Sequence, residues 1–131
     1  MKLVNSLIAA AMAGVALAGS ALAGSMEARI GNTVVASAPD GSTTKLYYNA
    51  DNTFTVKAEA GGKVVLESKG TWRQDGDNLC VTSEAAFGPF EADKERCIPL
   101  AGDKVGDSWQ TPAKDAQGND ITITVTIVAG R

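Results

Sequence analysis

Ser42-Thr43-Thr44-Lys45 has the Ser and Lys spacing of an S-x-x-K nucleophile pair, in which a helix brings the lysine amine beside the serine hydroxyl. Here the tetrapeptide leaves a Pro39-Asp40-Gly41 turn and enters a β-prone run, and residues three apart on a strand point to opposite faces. The companion K-T-G and S-D-N motifs are missing. The chain contains no His, which removes the usual general base, the Ser-His and Cys-His nucleophile pairs and the imidazole zinc ligands. No catalytic residue is nominated, and an enzyme is not expected.

The carboxylates Asp75, Asp77, Asp115 and Asp120 could in principle share acid/base work, yet all stand in turn contexts, where Asp is favoured for local hydrogen bonds. Asp75-Gly76-Asp77-Asn78 has enough oxygen ligands to suggest Ca²⁺, but lacks the later Gly and Glu of an EF-hand loop. The expectation is therefore no metal and no cofactor. Cys80 and Cys97 are the only cysteines, and an even pair in a small exported domain points to a structural disulfide. A redox role would use a tighter C-x-x-C pair.

Aromatic side chains could hold a ligand instead. Trp72, Trp109, Phe54, Tyr47 and Tyr48 fall in regular β-prone runs and read as core or barrel-closing residues. Phe87 and Phe90 differ, since Phe87-Gly88-Pro89-Phe90 lies in the irregular stretch Glu84 to Lys94 between the two cysteines. Binding residues concentrate in such loops, so the pair is the candidate contact site; local packing over the barrel mouth or the disulfide is the alternative.

Short β-prone runs punctuated by turn chemistry would have to position these residues. Val34 to Ser37 and Thr43 to Asn49 flank Pro39-Asp40-Gly41, a hairpin signal. Thr53 to Glu59, Lys63 to Lys69, Gly70 to Gln74 and Leu79 to Ser83 continue a meander, followed by strands around Arg96 to Leu100 and Val105 to Thr111. Ile121, Ile123, Val125 and Ile127 alternate with three threonines, the clearest half-buried strand in the chain. The expected fold is all-β: a small antiparallel meander of about eight strands, closed as a barrel or a sandwich, with one disulfide.

Residues 1–23 carry Lys2, an Ala/Leu/Val-rich run and a closing Ala21-Leu22-Ala23, the order of a secretory signal peptide. Cleavage there leaves residues 24–131 as a single all-β domain in the bacterial periplasm or medium. No Cys follows the site to take a lipid, so no stable membrane insertion is expected after cleavage. The net charge of −3 becomes one unit more negative once Lys2 is lost, and the two signs are interspersed, which argues against a nucleic-acid partner.

Gly70-Thr71-Trp72, followed by Gly76-Asp77-Asn78-Leu79, resembles the G-T-W hairpin of small lipocalin-like β-proteins of bacterial envelopes. Together with two Cys and the later Gly106-Asp107-Ser108-Trp109, the stretch from Gly70 to Gln110 is similar to small exported proteobacterial proteins of that pattern, a resemblance that implies a β-barrel and no particular activity. One-disulfide β-barrel inhibitors of bacterial metalloproteases also carry G-x-W, but near the mature N-terminus rather than mid-chain. Two functions are therefore expected: a non-enzymatic binding module for a small apolar ligand, or a protein-interaction role towards an envelope protein or a protease.

Overall fold

The alternation of Ile121, Ile123, Val125 and Ile127 with threonines builds a strand over Asp120–Val128, whose apolar side faces the concave side of one curled sheet. In chain order the strands are β1 (Thr33–Ser37), β2 (Thr43–Tyr48), β3 (Thr53–Ala60), β4 (Lys63–Asp75), β5 (Asn78–Ser83), β6 (Arg96–Pro99), β7 (Ser108–Lys114) and β8 (Asp120–Val128). The computed structural model describes residues 24–115 and 117–131, so the signal reading of residues 1–23 lies outside the described residues. All eight strands are antiparallel, in the order β6-β5-β4-β3-β2-β1-β8-β7. Six form a meander, and β8 returns beside β1. A single sheet curled into a half-barrel excludes the sandwich alternative.

Two expected strand boundaries are corrected. Lys63 to Lys69 and Gly70 to Gln74 form one continuous strand, because Gly70 keeps strand geometry and leaves room for the chain opposite it. A Cβ on Gly70 would lie 2.1 Å from the Thr82 carbonyl oxygen and 2.7 Å from the Phe54 ring. Val105 stands in a turn rather than a strand, and β7 begins only at Ser108. The reason is Asp107, whose carboxylate accepts the backbone N–H groups of Asp103 (2.9 Å) and Lys104 (3.3 Å) and so bends the chain.

Pro112, inside β7, fits because β7 is an edge strand. Ile127 N–H donates to the Asp107 carbonyl, and counting by twos along the register gives Trp109, Thr111 and Ala113 the bonds to β8. Pro112 then falls where its missing donor would have faced solvent, which also blunts the edge against pairing with other chains.

The inner face is organised in cross-strand rows. Val56, Leu46, Val34 and Ile127 oppose one another across β3, β2, β1 and β8, and all four are buried. Phe54 and Tyr48 extend this core, with ring centres 5.8 Å apart. Leu79 and Val81 of β5, Met26 and Leu100 complete it.

Candidate functional site

The tight turns engage several of the polar groups that could have done chemistry. Asp40 Oδ1 accepts the Ser42 backbone N–H (2.9 Å) and hydroxyl (2.7 Å), and these bonds hold the carboxyl below its ordinary pKa. Lys45 lies on β2 and pairs with Glu59 across the strand at 3.8 Å. Ser42 and Lys45 thus have separate partners. Asp115 is engaged in the same way, accepting the N–H groups of Asn119 and Gln117, which likewise lower its pKa. Asp120 pairs with Lys114, and Asp75 and Asn78 oppose each other across the two-residue turn that joins β4 to β5.

Cys80 and Cys97 face each other directly across β5 and β6 and are joined as a disulfide. Glu95 lies close to both sulfurs, but the bonded sulfurs are not thiolates, and Glu95 itself is taken by Arg73 at 2.7 and 2.9 Å. The Arg73 guanidinium holds the Glu95 carboxyl below its ordinary pKa. A disulfide in so small a domain belongs to an oxidising, non-cytoplasmic environment. Among the described residues no helix is long and apolar enough to cross a membrane.

Phe87 and Phe90 are packed into the fold. Each backbone N–H donates to the other's carbonyl, at 3.1 and 2.8 Å, closing the Gly88-Pro89 turn. Their rings lie 5.0 Å apart, and the Phe87 ring is 6.2 Å from that of Phe54. Phe90 is buried and Phe87 half-buried, so the loop folds inward and lays its aromatics on the core. The Asp93 N–H, donating to the Ser83 carbonyl at 2.7 Å, ties the end of the loop back to β5. This is the geometry of the packing alternative, with Phe87 alone keeping part of its surface accessible.

Elsewhere the inner face is only partly covered, with Ala36 and Ile123 packed against the core. Beyond the buried row lies a second row of opposed residues, Leu66, Ala58, Thr44 and Ala36, on β4, β3, β2 and β1. All four are half-buried although they point to the concave side. Further along β7 and β8, Thr111, Ala113, Ile121 and Ile123 are half-buried on the same side. The middle of this stretch is built from small residues and its borders from Leu66, Ile121 and Ile123, so the surface is a neutral apolar trough. Sequence reasoning did not find it. Alternation marks which residues face inward, but whether another segment covers them depends on the curl of the sheet and the path of the loops.

Two aromatic clasps hold the other parts of the sheet together. Trp72 Nε1–H donates to the Asn49 carbonyl at 3.0 Å, and its ring meets Tyr48 edge-on at 6.4 Å. The Arg29 guanidinium lies between Tyr48 and Trp109, 5.8 and 5.1 Å from the ring centres. Burial pulls the Arg29 pKa down and pushes the Tyr48 hydroxyl up; the proximity of the two groups opposes both shifts. Gly106-Asp107-Ser108-Trp109 thus serves to bend the chain and deliver Trp109 to this clasp.

No family model matches the chain, and neither does any curated protein or solved structure.

Proposed function

We propose that the protein is an exported, non-enzymatic binding module, acting in the bacterial periplasm or medium, that holds a small apolar molecule on the concave side of its half-barrel. The trough of Ala36, Thr44, Ala58 and Leu66, continued by Ile121 and Ile123, is the observation that carries this reading. Covering apolar surface of this kind is favourable in proportion to the area removed from water, and charge plays no part in it. The absence of His from the sequence and the use of Asp40 and Asp115 in local turn bonds support a role without catalysis.

The test is thermal unfolding of the mature protein with and without an apolar extract of the source envelope, followed by native mass spectrometry. A raised melting temperature and a bound small-molecule mass are expected. An unchanged melting temperature together with ligand-free masses would overturn the reading.

A protein-interaction role is the second reading, favoured by one feature. At the outer end of the β3–β4 hairpin the register shifts between Ala58 and Glu59, and Val64 and Val65 are left 51% and 64% exposed. Loss of a stoichiometric envelope partner on Val65→Lys, with no ligand effect on melting, would select this reading over the first.

A further inference from the structure

The sheet ends in two edges, β6 and β7, that do not pair with each other. Residues 24–31 bind both sides of this seam. The Gly24 N–H donates to the Leu100 carbonyl (3.2 Å), Ser25 N–H to that of Gly102 (3.1 Å), and Arg29 Nη2 to that of Ala101 (2.7 Å). These bonds zip the strap along the chain that follows β6. On the other side, Arg29 lies over Trp109 of β7 and beside Tyr48 of β2, and Gly31 N–H donates to the Tyr48 carbonyl (3.4 Å). Gly24 seats only because it is glycine: a Cβ there would come within 2.6 Å of the Gly102 carbonyl oxygen.

Arg29 is the unusual member of this strap. It is 4% exposed and charged, its Nε has no hydrogen-bond partner, and no carboxylate among the described residues pairs with it. A buried cation is normally matched by an anion, because taking a charge out of water is costly. Two aromatic faces, the nearby Tyr48 hydroxyl and one carbonyl offset that cost only in part. Lifting the strap would rehydrate Arg29, withdraw Met26 from the core and part Ile30 from Tyr48, and would break none of the strand ladders.

We infer that residues 24–31 are a latch that opens as a unit ahead of the rest of the sheet, with the buried charge of Arg29 setting how readily it opens. Opening parts the seam between β6 and β7. It also frees the face of Trp109 that Arg29 covers, beside an already open hollow of about 340 Å³ whose walls include Gly102, Lys104, Asp107 and Ser108. In the binding reading the seam is a second way to the inner face; the latch itself does not depend on that reading.

Amide hydrogen exchange of the free mature protein tests the latch with no ligand present. The amides of Ser25, Ile30 and Gly31 should exchange about 100-fold or more faster than those of Leu46 and Val56. Arg29→Met keeps an unbranched apolar side chain and removes the charge, and should slow strap exchange about tenfold. Strap amides as protected as the core in the unaltered protein would overturn the inference, and so would strap exchange that speeds up in a folded Arg29→Met. The first comparison needs no variant, so a variant that fails to fold leaves it standing. Failure of an apolar probe to bind bears on the proposed function alone.

Discussion

Gly70 lies directly beneath the ring of Phe54: a Cβ added at Gly70 would stand 2.7 Å from Phe54 Cε1 and 2.9 Å from Cζ. The two residues oppose each other in the β3–β4 register, so the missing side chain on one strand is the space occupied by the ring on the other. The Thr82 carbonyl, 2.1 Å from the same point, is backbone and cannot swing away. Gly70→Ala should therefore destabilise the protein by about 1–3 kcal/mol through overpacking, read as a lower midpoint in urea unfolding. An unchanged midpoint would mean that Phe54 is not held against β4.

The disulfide closes a loop with a sequence separation of 17 across β5 and β6. Replacing both Cys80 and Cys97 by Ala should lower unfolding stability by about 3 kcal/mol, the chain-entropy value for a loop of this size. Denaturant titration of the oxidised protein beside the double variant measures it.

Phe90→Ala should cost about 3–5 kcal/mol, the range for emptying a buried Phe site. The half-buried Phe87→Ala should cost less. Equal melting temperatures for Phe90→Ala and the unaltered protein would return the loop to a contact role, since a ring can be removed without penalty only where it packs on nothing.

The carboxylates of Asp40, Asp51, Asp107 and Asp115 are held below their ordinary pKa, the first two chiefly by side-chain hydrogen bonds from Ser42 and Thr53, the others chiefly by backbone N–H groups of Asp103 and Asn119. Each therefore binds its proton more weakly folded than unfolded. The stability they contribute is fully present above the unfolded value of about 3.9 and is lost as pH falls through the lower folded values. Unfolding midpoints measured from about pH 6 down to about pH 2 should be flat and then decline, and Asp107→Asn, which keeps an acceptor but cannot titrate, should make the decline shallower.

Local chemistry was legible in the sequence where a turn or an alternation carries it. Pro39-Asp40-Gly41 makes its turn with the Ala38 and Ser42 backbones bonded at 2.9 Å, and the threonine alternation of β8 puts its isoleucines inside. Cys80 and Cys97 could be paired because no other cysteine competes. The pairing of β1 with β8 was not legible, because it joins residues nearly a hundred positions apart and no local signal encodes it. Arg29 sits before the first strand in a stretch without periodicity, so its burial between Tyr48 and Trp109 depends entirely on where those distant rings end up. For Phe87 and Phe90 an irregular loop carries no periodicity to separate a contact role from local packing, and their placement on the core depends on the loop curling inward.

The binding reading stands or falls on the trough. Titration of the protein with N-phenyl-1-naphthylamine, an uncharged apolar dye that brightens on leaving water, tests it directly when the same titration is run on Ala58→Arg. Ala58 is half-buried on the inner face between Thr44 and Leu66, so a long cation there fills the trough with little change to the buried row beside it. Saturable binding to the unaltered protein, weakened at least about tenfold in a variant of unchanged melting temperature, is the expected result. No binding to the unaltered protein, or equal binding to both, would contradict it.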